Sequence, residues 1–239
     1  MSSLPFPGAV GITHLRVYET ESPDGLHGGS PHVHLLSAEA YIPIAGSGEV
    51  HTISREGFRK YPLEPGGIVW FEPGVIHRLV NTTGNLELLV IMQNAGLPEA
   101  GDAIFTFPRE VMESTEAYTP ASVLPEGSLE LQLDAARERR DLAIAGFIEL
   151  IAEPNPNRAL EQFYANAIRQ RQGRFERWSQ LIAQGPVQES RRTQQRLVAL
   201  TEGATSLLGE AKSTSTGSGD SVPVVGMCGQ LRQFEPMEG

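Results

Sequence analysis

The residues of this chain whose types and spacing can do chemistry are His32, His34, Glu39 and His77. His32 and His34 are two apart in PHVHLL, so on a strand both imidazoles leave the same face. Glu39 heads the apolar run EAYIPI and comes back to that face after a short turn, while His77 follows the Pro-Gly turn of EPGVIH and opens the strand HRLVN. Three imidazoles and one carboxylate each offer a lone pair without needing a thiolate, which is a donor set for a divalent transition metal such as Fe, Mn, Ni or Zn. A coordinating imidazole must be neutral, so metal competes with protons. Affinity is expected to fall below the ordinary histidine pKa of about 6.5.

The elements that must position these groups are short strands. GITHLRVYE, HVHLL, EAYIPI, GEVHTIS, FRKYPL, GIVWF, HRLVN and LELLVIMQN follow one another with turn formers between them, the pattern of an all-β sandwich or barrel. Counting by two from the ligands puts Tyr41 and Pro43, and Leu79 and Asn81, on the cavity face, with either Leu89, Ile91 and Gln93 or the opposite set from the last strand. Tyr41, Gln93 and Arg16 are therefore the candidates for a catalytic role. His14 and Arg16 share a face of the first strand that looks either into the barrel or outward. Tyr41, Trp70 and Phe71 form either an aromatic wall for an organic ligand or ordinary packing, and His27, in a loop of turn formers, reads as a solvated side chain.

Two longer patterns contain the candidate ligands: GGSPHVHLLSAEAYIPIAG, ending at Gly46, and GGIVWFEPGVIHRLVN, running from Gly66 to Asn81. In these the chain resembles the cupin superfamily over roughly His14 to Asn94. Glu72 stands where that family usually has Pro, with Pro73 beside it, and Leu26 occupies the place of the first glycine, flanked by Gly25 and the Gly28-Gly29 pair. The resemblance implies a mainly β protein, a cupin jelly-roll β-barrel, with His32, His34, Glu39 and His77 as metal ligands. Cupins with this ligand set include dioxygenases, isomerases, decarboxylases and non-catalytic binders. The expectation is a metal-dependent enzyme of oxygenase or isomerase type acting on a small oxygenated organic substrate. A non-catalytic sensor or carrier and a structural metal-stabilised protein stand as alternatives, because fold does not choose among chemistries.

After Gln93 the character changes. Residues 1–106 read as the barrel, 107–128 as an irregular connector with one short helix near Pro108, 129–210 as a region of about three helices, and 211–239 as a flexible tail. The first helix spans Leu129 to Glu153; the second is capped by Asn157 and ends at Gly185-Pro186; the third covers Val187 to Glu202. The wide apolar faces of these helices suggest a homodimerisation element.

The 239-residue chain has a net charge of -10, concentrated in the barrel half, whereas acids and bases balance in the helical half. An acidic barrel and the absence of a basic reader helix argue against nucleic acid as a partner, so the arginines at 169, 171, 174 and 177 read as a solvated face or subunit contact. The longest apolar run, LAIAGFIELIA, is too short and carries Glu149, so no membrane span is expected, and MSSLPFPGAV lacks the features of a secretory signal. Cys228 is the single cysteine, which excludes an internal disulfide and a Cys-rich zinc site; a cytoplasmic location is the expectation.

Overall fold

The computed structural model describes residues 4–217 and 222–234. The expected short strands form: β1 (Gly11–Val17), β2 (His32–His34), β3 (Glu39–Ala45), β4 (Gly48–Ser54), β5 (Gly57–Leu63), β6 (Val69–Phe71), β7 (Ile76–Asn81), β8 (Glu87–Met92) and β9 (Ala103–Phe105). After the helical region come β10 (Val224–Val225) and β11 (Gly229–Gln233). They make two antiparallel sheets, one of six strands in the order β10-β11-β1-β8-β3-β6 and one of five in the order β5-β4-β7-β2-β9. This is a jelly-roll double sheet with a helical extension, as the strand pattern required.

Period-two alternation decides what lies between the sheets. Leu15 and Val17 of β1, Tyr41 of β3, Val50 of β4, Leu79 of β7 and Leu88 and Val90 of β8 are buried together in one core. In β8 it is therefore the set Leu88, Val90 and Met92 that points inward, opposite to the face of Leu89 and Ile91. Because side chains alternate, Val33 and Ile104, paired between β2 and β9, face the other way and join a second core with Phe107, Phe147, Leu160 and Phe163. This second core glues the helices to the back of the five-stranded sheet.

The helices are α1 (Arg109–Met112), α2 (Thr115–Ser122), α3 (Leu129–Ala152), α4 (Pro156–Arg169), α5 (Phe175–Gln184), α6 (Pro186–Thr201) and α7 (Ser206–Gly209). Ser114 and Ser128 cap α2 and α3 by accepting from Ala117 N and Leu131 N. The expected second helix is divided: a short 3-10 turn, Gln172–Arg174, separates α4 from α5, and Gly173 lowers the cost of breaking the helix there. Its cap is Asn155 rather than Asn157, with Pro156 at the first helical position, where a missing N–H costs nothing.

The expectation of a flexible tail over 211–239 is corrected in part. Residues 222–234 carry β10 and β11, and β11 pairs with β1 from Thr13↔Gln233 to Val17↔Gly229, covering an edge of the six-stranded sheet. Residues 218–221 of the Ser/Thr/Gly run, and 235–239, lie outside the described residues. Among the described residues no helix is long and apolar enough to cross a membrane.

The closest approach of helix to barrel is at Gly146 in α3. A Cβ there would lie 2.2 Å from Thr106 O and 2.3 Å from Phe107 C, both backbone atoms that cannot step aside. Ala normally stabilises a helix interior relative to Gly. Here Gly146→Ala is expected to invert that rule and destabilise the protein by roughly 1–3 kcal/mol through overpacking, read as a lower urea midpoint with an unchanged slope.

Candidate metal centre

His32 and His34 leave the inner face of β2, and His77 stands directly opposite His32 on the neighbouring β7. Glu39 does not come back to that sheet. It opens β3 in the opposing sheet and reaches the site across the space between the layers. The four side chains are buried, and their ligand atoms all lie within 4.8 Å of one another. His77 Nε2 is 3.1 Å from His32 Nε2 and 3.0 Å from Glu39 Oε2, and His34 Nε2 is 3.6 Å from the same oxygen.

The outward nitrogens determine what the inward ones present. His32 Nδ1 meets the carbonyl of Ser30 at 2.9 Å and His77 Nδ1 meets that of Val75 at 3.0 Å. A carbonyl only accepts, so both Nδ1 atoms carry the hydrogen and both Nε2 atoms present lone pairs. His34 Nδ1 faces the Asp102 carboxylate at 3.4 Å, which assigns it the same tautomer. Three nitrogen lone pairs and a carboxylate thus converge with no donor among them, and Glu39 Oε2 is buried without a hydrogen bond. Ligands adjacent on a metal at about 2.1 Å lie about 3 Å apart, so the donor set fits a divalent ion.

The electrostatics favour the neutral form at His32 and pull toward the protonated form at His34. Burial, reinforced by His77 and His34, pushes His32 well below the usual histidine range, so it is neutral. Burial acts the same way on His34, but Asp102 and Glu39 outweigh it and hold that imidazole above its ordinary value. Burial would raise Glu39; the neighbouring His77 and His34 overcome it and keep the carboxylate ionised.

Asp102 is the site residue that sequence reasoning missed. It is fully buried just before β9, and besides facing His34 it accepts from the backbone N–H groups of Leu35, Leu36 and Ser37 at 2.8–3.0 Å. One carboxylate therefore folds the turn between the ligands His34 and Glu39. Nothing in GDAIF marks it, since its partners are more than sixty residues away.

Beside the four residues lies a cavity of about 300 Å³. Tyr41 lines it, and burial followed by the Glu39 charge pushes its phenol well above the ordinary tyrosine range, so it keeps its proton. The other two catalytic candidates are elsewhere. Arg16 is exposed on the outer face of β1, 3.7 Å from Glu87, which also pairs with His14 at 2.9 Å. Gln93 is exposed on the bend after β8, where its side-chain oxygen accepts from Ala38 N. Of the aromatic wall, Phe71 packs 4.3 Å from the His77 ring, whereas Trp70 is 73% exposed and faces away. His27 is exposed and outside the cluster. Cys228 does border the cavity, with its sulfur 4.0 Å from His32 Nδ1 and its thiol pushed up by burial and by Glu39.

No protein-family model matches the chain, and no curated protein does. Among solved structures it is similar to a TDP-fucose-3,4-ketoisomerase from Campylobacter jejuni at 17% identity and a TM-score of 0.31, covering 38% of this chain and 64% of that one. A sugar 3,4-ketoisomerase from Thermoanaerobacterium thermosaccharolyticum, in complex with TDP, matches at 16% identity and a TM-score of 0.32, covering 39% and 64%. An uncharacterized protein with a double-stranded beta-helix domain from Klebsiella pneumoniae matches at 23% identity and a TM-score of 0.26, covering 36% and 69%. The chain thus spans less than two thirds of the length of the first two.

On the reverse face of β7, next to His77, the buried Arg78 reaches Asp24 and the Ser22 hydroxyl, pinning the loop that leads into β2. Partial burial would raise the Asp24 carboxyl, but the Arg78 guanidinium holds it below its ordinary value. A depressed folded pKa contributes stability that is present above the unfolded value of about 3.9 and is lost as the pH falls through the folded one. Asp24→Asn is therefore expected to lower the urea midpoint at neutral pH, with the gap to the unaltered protein narrowing as both are taken below about pH 3.

Proposed function

We propose that this chain is a metal-binding cupin in which His32, His34, Glu39 and His77 hold one divalent transition metal, and that it acts on a small oxygenated organic substrate as an oxygenase or isomerase. The observation that carries this reading is the convergence of four buried groups, each able to offer a lone pair, with their ligand atoms within 4.8 Å of one another. A single proton can bridge two of them, whereas a divalent cation satisfies all four. Four protein ligands leave positions open on a six-coordinate ion, and such an ion supplies Lewis-acid polarisation of a substrate oxygen or a place for dioxygen. The chain's own contribution is to hold three imidazoles in one tautomer, to keep Glu39 ionised, and to place the protonated Tyr41 phenol on the wall of the adjoining cavity. That adjoining cavity favours small-molecule chemistry over a purely structural metal.

The test is metal content after supplementation at neutral pH. Stoichiometric metal is expected in the unaltered protein and loss of it in His77→Ala, with the barrel still folded by circular dichroism. Asp102→Asn keeps every ligand but weakens the support of His34, and is expected to cost about 10–100-fold in metal affinity. Stoichiometric metal in a variant with His32, His34 and His77 all changed to Ala would overturn the site.

The reading includes a homodimer. Ile168 and Phe175 on the helical face, and Leu197, Val198 and Leu200 on α6, are large apolar side chains exposed in the single chain, and symmetric pairing is the commonest way to cover such a surface. Light scattering over a wide concentration range is expected to give twice the chain mass; a monomer throughout would remove this part.

A further inference from the structure

The walls of the cavity beside the four ligands carry information about what enters it. Leu15, Val90, Met92 and Leu231 from the inner face of the six-stranded sheet, together with Met227, make it largely apolar. Among the described residues no Lys or Arg lines it. Arg139, the nearest cation to His32, stacks over the Phe105 ring and gives its terminal nitrogens to the carbonyls of Ser122 and Gly226. The charges that do border the space are negative: Glu39 within it, and Glu99 at the rim, where Gln233 donates to it. With Asp102 behind His34, two buried carboxylates already balance a divalent ion. A phosphate or diphosphate would bring further negative charge with no cation to meet it.

The C-terminal segment supplies one whole wall. Ser30 N donates to Met227 O at 3.0 Å and Tyr18 N to Cys228 O at 3.1 Å. Gly29 is packed so closely against this segment that a Cβ there would lie 2.6 Å from Cys228 Cα. The wall is thereby fixed to the chain two residues before His32, and its distance from the ligands is set by backbone contacts.

We infer that the ligand of this site is a small compound of low charge, with an oxygen-bearing head toward the four ligand residues and a short hydrocarbon body against the apolar wall, and that Met227 and Leu231 set the length of body admitted. This rests on the reading of the four residues as a metal centre. Phosphorylated and nucleotide-linked compounds are excluded by charge, and the cavity of about 300 Å³ is at the small end of ligand pockets.

The experiment uses the full chain saturated with Mn(II), its metal content measured in every sample, and calorimetric titration with straight-chain 2-oxocarboxylates from pyruvate to 2-oxooctanoate, with TDP as the anionic comparison. These acids share one chelating head and a single negative charge and differ only in apolar length. Affinity is expected to rise about fourfold per added methylene up to a limit and then fall, with TDP weaker than every member that fits. Met227→Ala and Leu231→Ala, each with unchanged metal content, are expected to move that limit by one or more methylenes. Affinity that does not depend on length, TDP binding more tightly than the best acid, or a limit that neither variant moves, would each overturn the inference while leaving the metal centre standing. Absence of Mn(II) from the unaltered protein would instead overturn the metal centre, and the inference with it. The length series on the unaltered protein decides the matter even where a variant fails to fold.

Discussion

The arrangement on which the rest depends is the meeting of three imidazoles with a carboxylate in one buried space between the sheets. Such a cluster costs free energy in a chain with nothing between the groups, and it persists because each member is held from behind. Ser30, Val75 and Asp102 fix the three rings, and Asp102 also ties the turn that carries the chain from β2 in one sheet to Glu39 in the other. The site is consequently a property of the gap between the sheets. It would not exist in either sheet alone, since the histidines belong to one and the carboxylate to the other.

The five-stranded sheet that carries the three histidines is covered on its back by the helices. There α3 and α4 press Phe147, Leu160 and Phe163 against Val33, which lies between the two ligands on β2, and against its partner Ile104 on β9. The arginines of the helical region serve the same end. Arg171 donates to Gly101 O and Ala103 O and lies over the Tyr118 ring, Arg174 reaches Ala100 O, and Arg169 reaches Glu113 O. These three guanidiniums donate to backbone carbonyls of the barrel and its connector. In the other sheet β11 pairs along the edge of β1, and Leu231 and Gln233 become part of the wall around the first ligand.

The helices also touch the turn that delivers His77. Tyr164 of α4 donates to Gly74 O at 2.7 Å, and Gly74 N donates to His34 O at 2.9 Å. One short path of hydrogen bonds thus runs from the helical extension, through the Pro73-Gly74 turn, to the strand of the first two ligands. The extension is therefore joined to the site by hydrogen bonds as well as by packing.

Local rules carried much of this protein from its sequence. The spacing of His32 and His34 and the period-two runs determined which side chains share a face, because on a strand a residue's side follows from parity alone; the same parity correctly joined Tyr41 to Glu39 and Leu79 to His77. The long helix from Leu129 was legible because helical periodicity acts within a few residues, whereas the cap expected at Asn157 proved to be Asn155. What parity leaves open is which face is inner, and that was decided only by pairing: β8 turned Leu88, Val90 and Met92 inward, and β1 turned Arg16 out. Asp102, the wall made by Met227 and Cys228, and the strand β11 in a segment that reads as a tail owe their roles to partners 65 to 220 residues away. Contacts between such distant parts leave no local pattern. The tertiary structure alone decided them, because their hydrogen bonds and buried surface come into being when the two sheets close over one cavity.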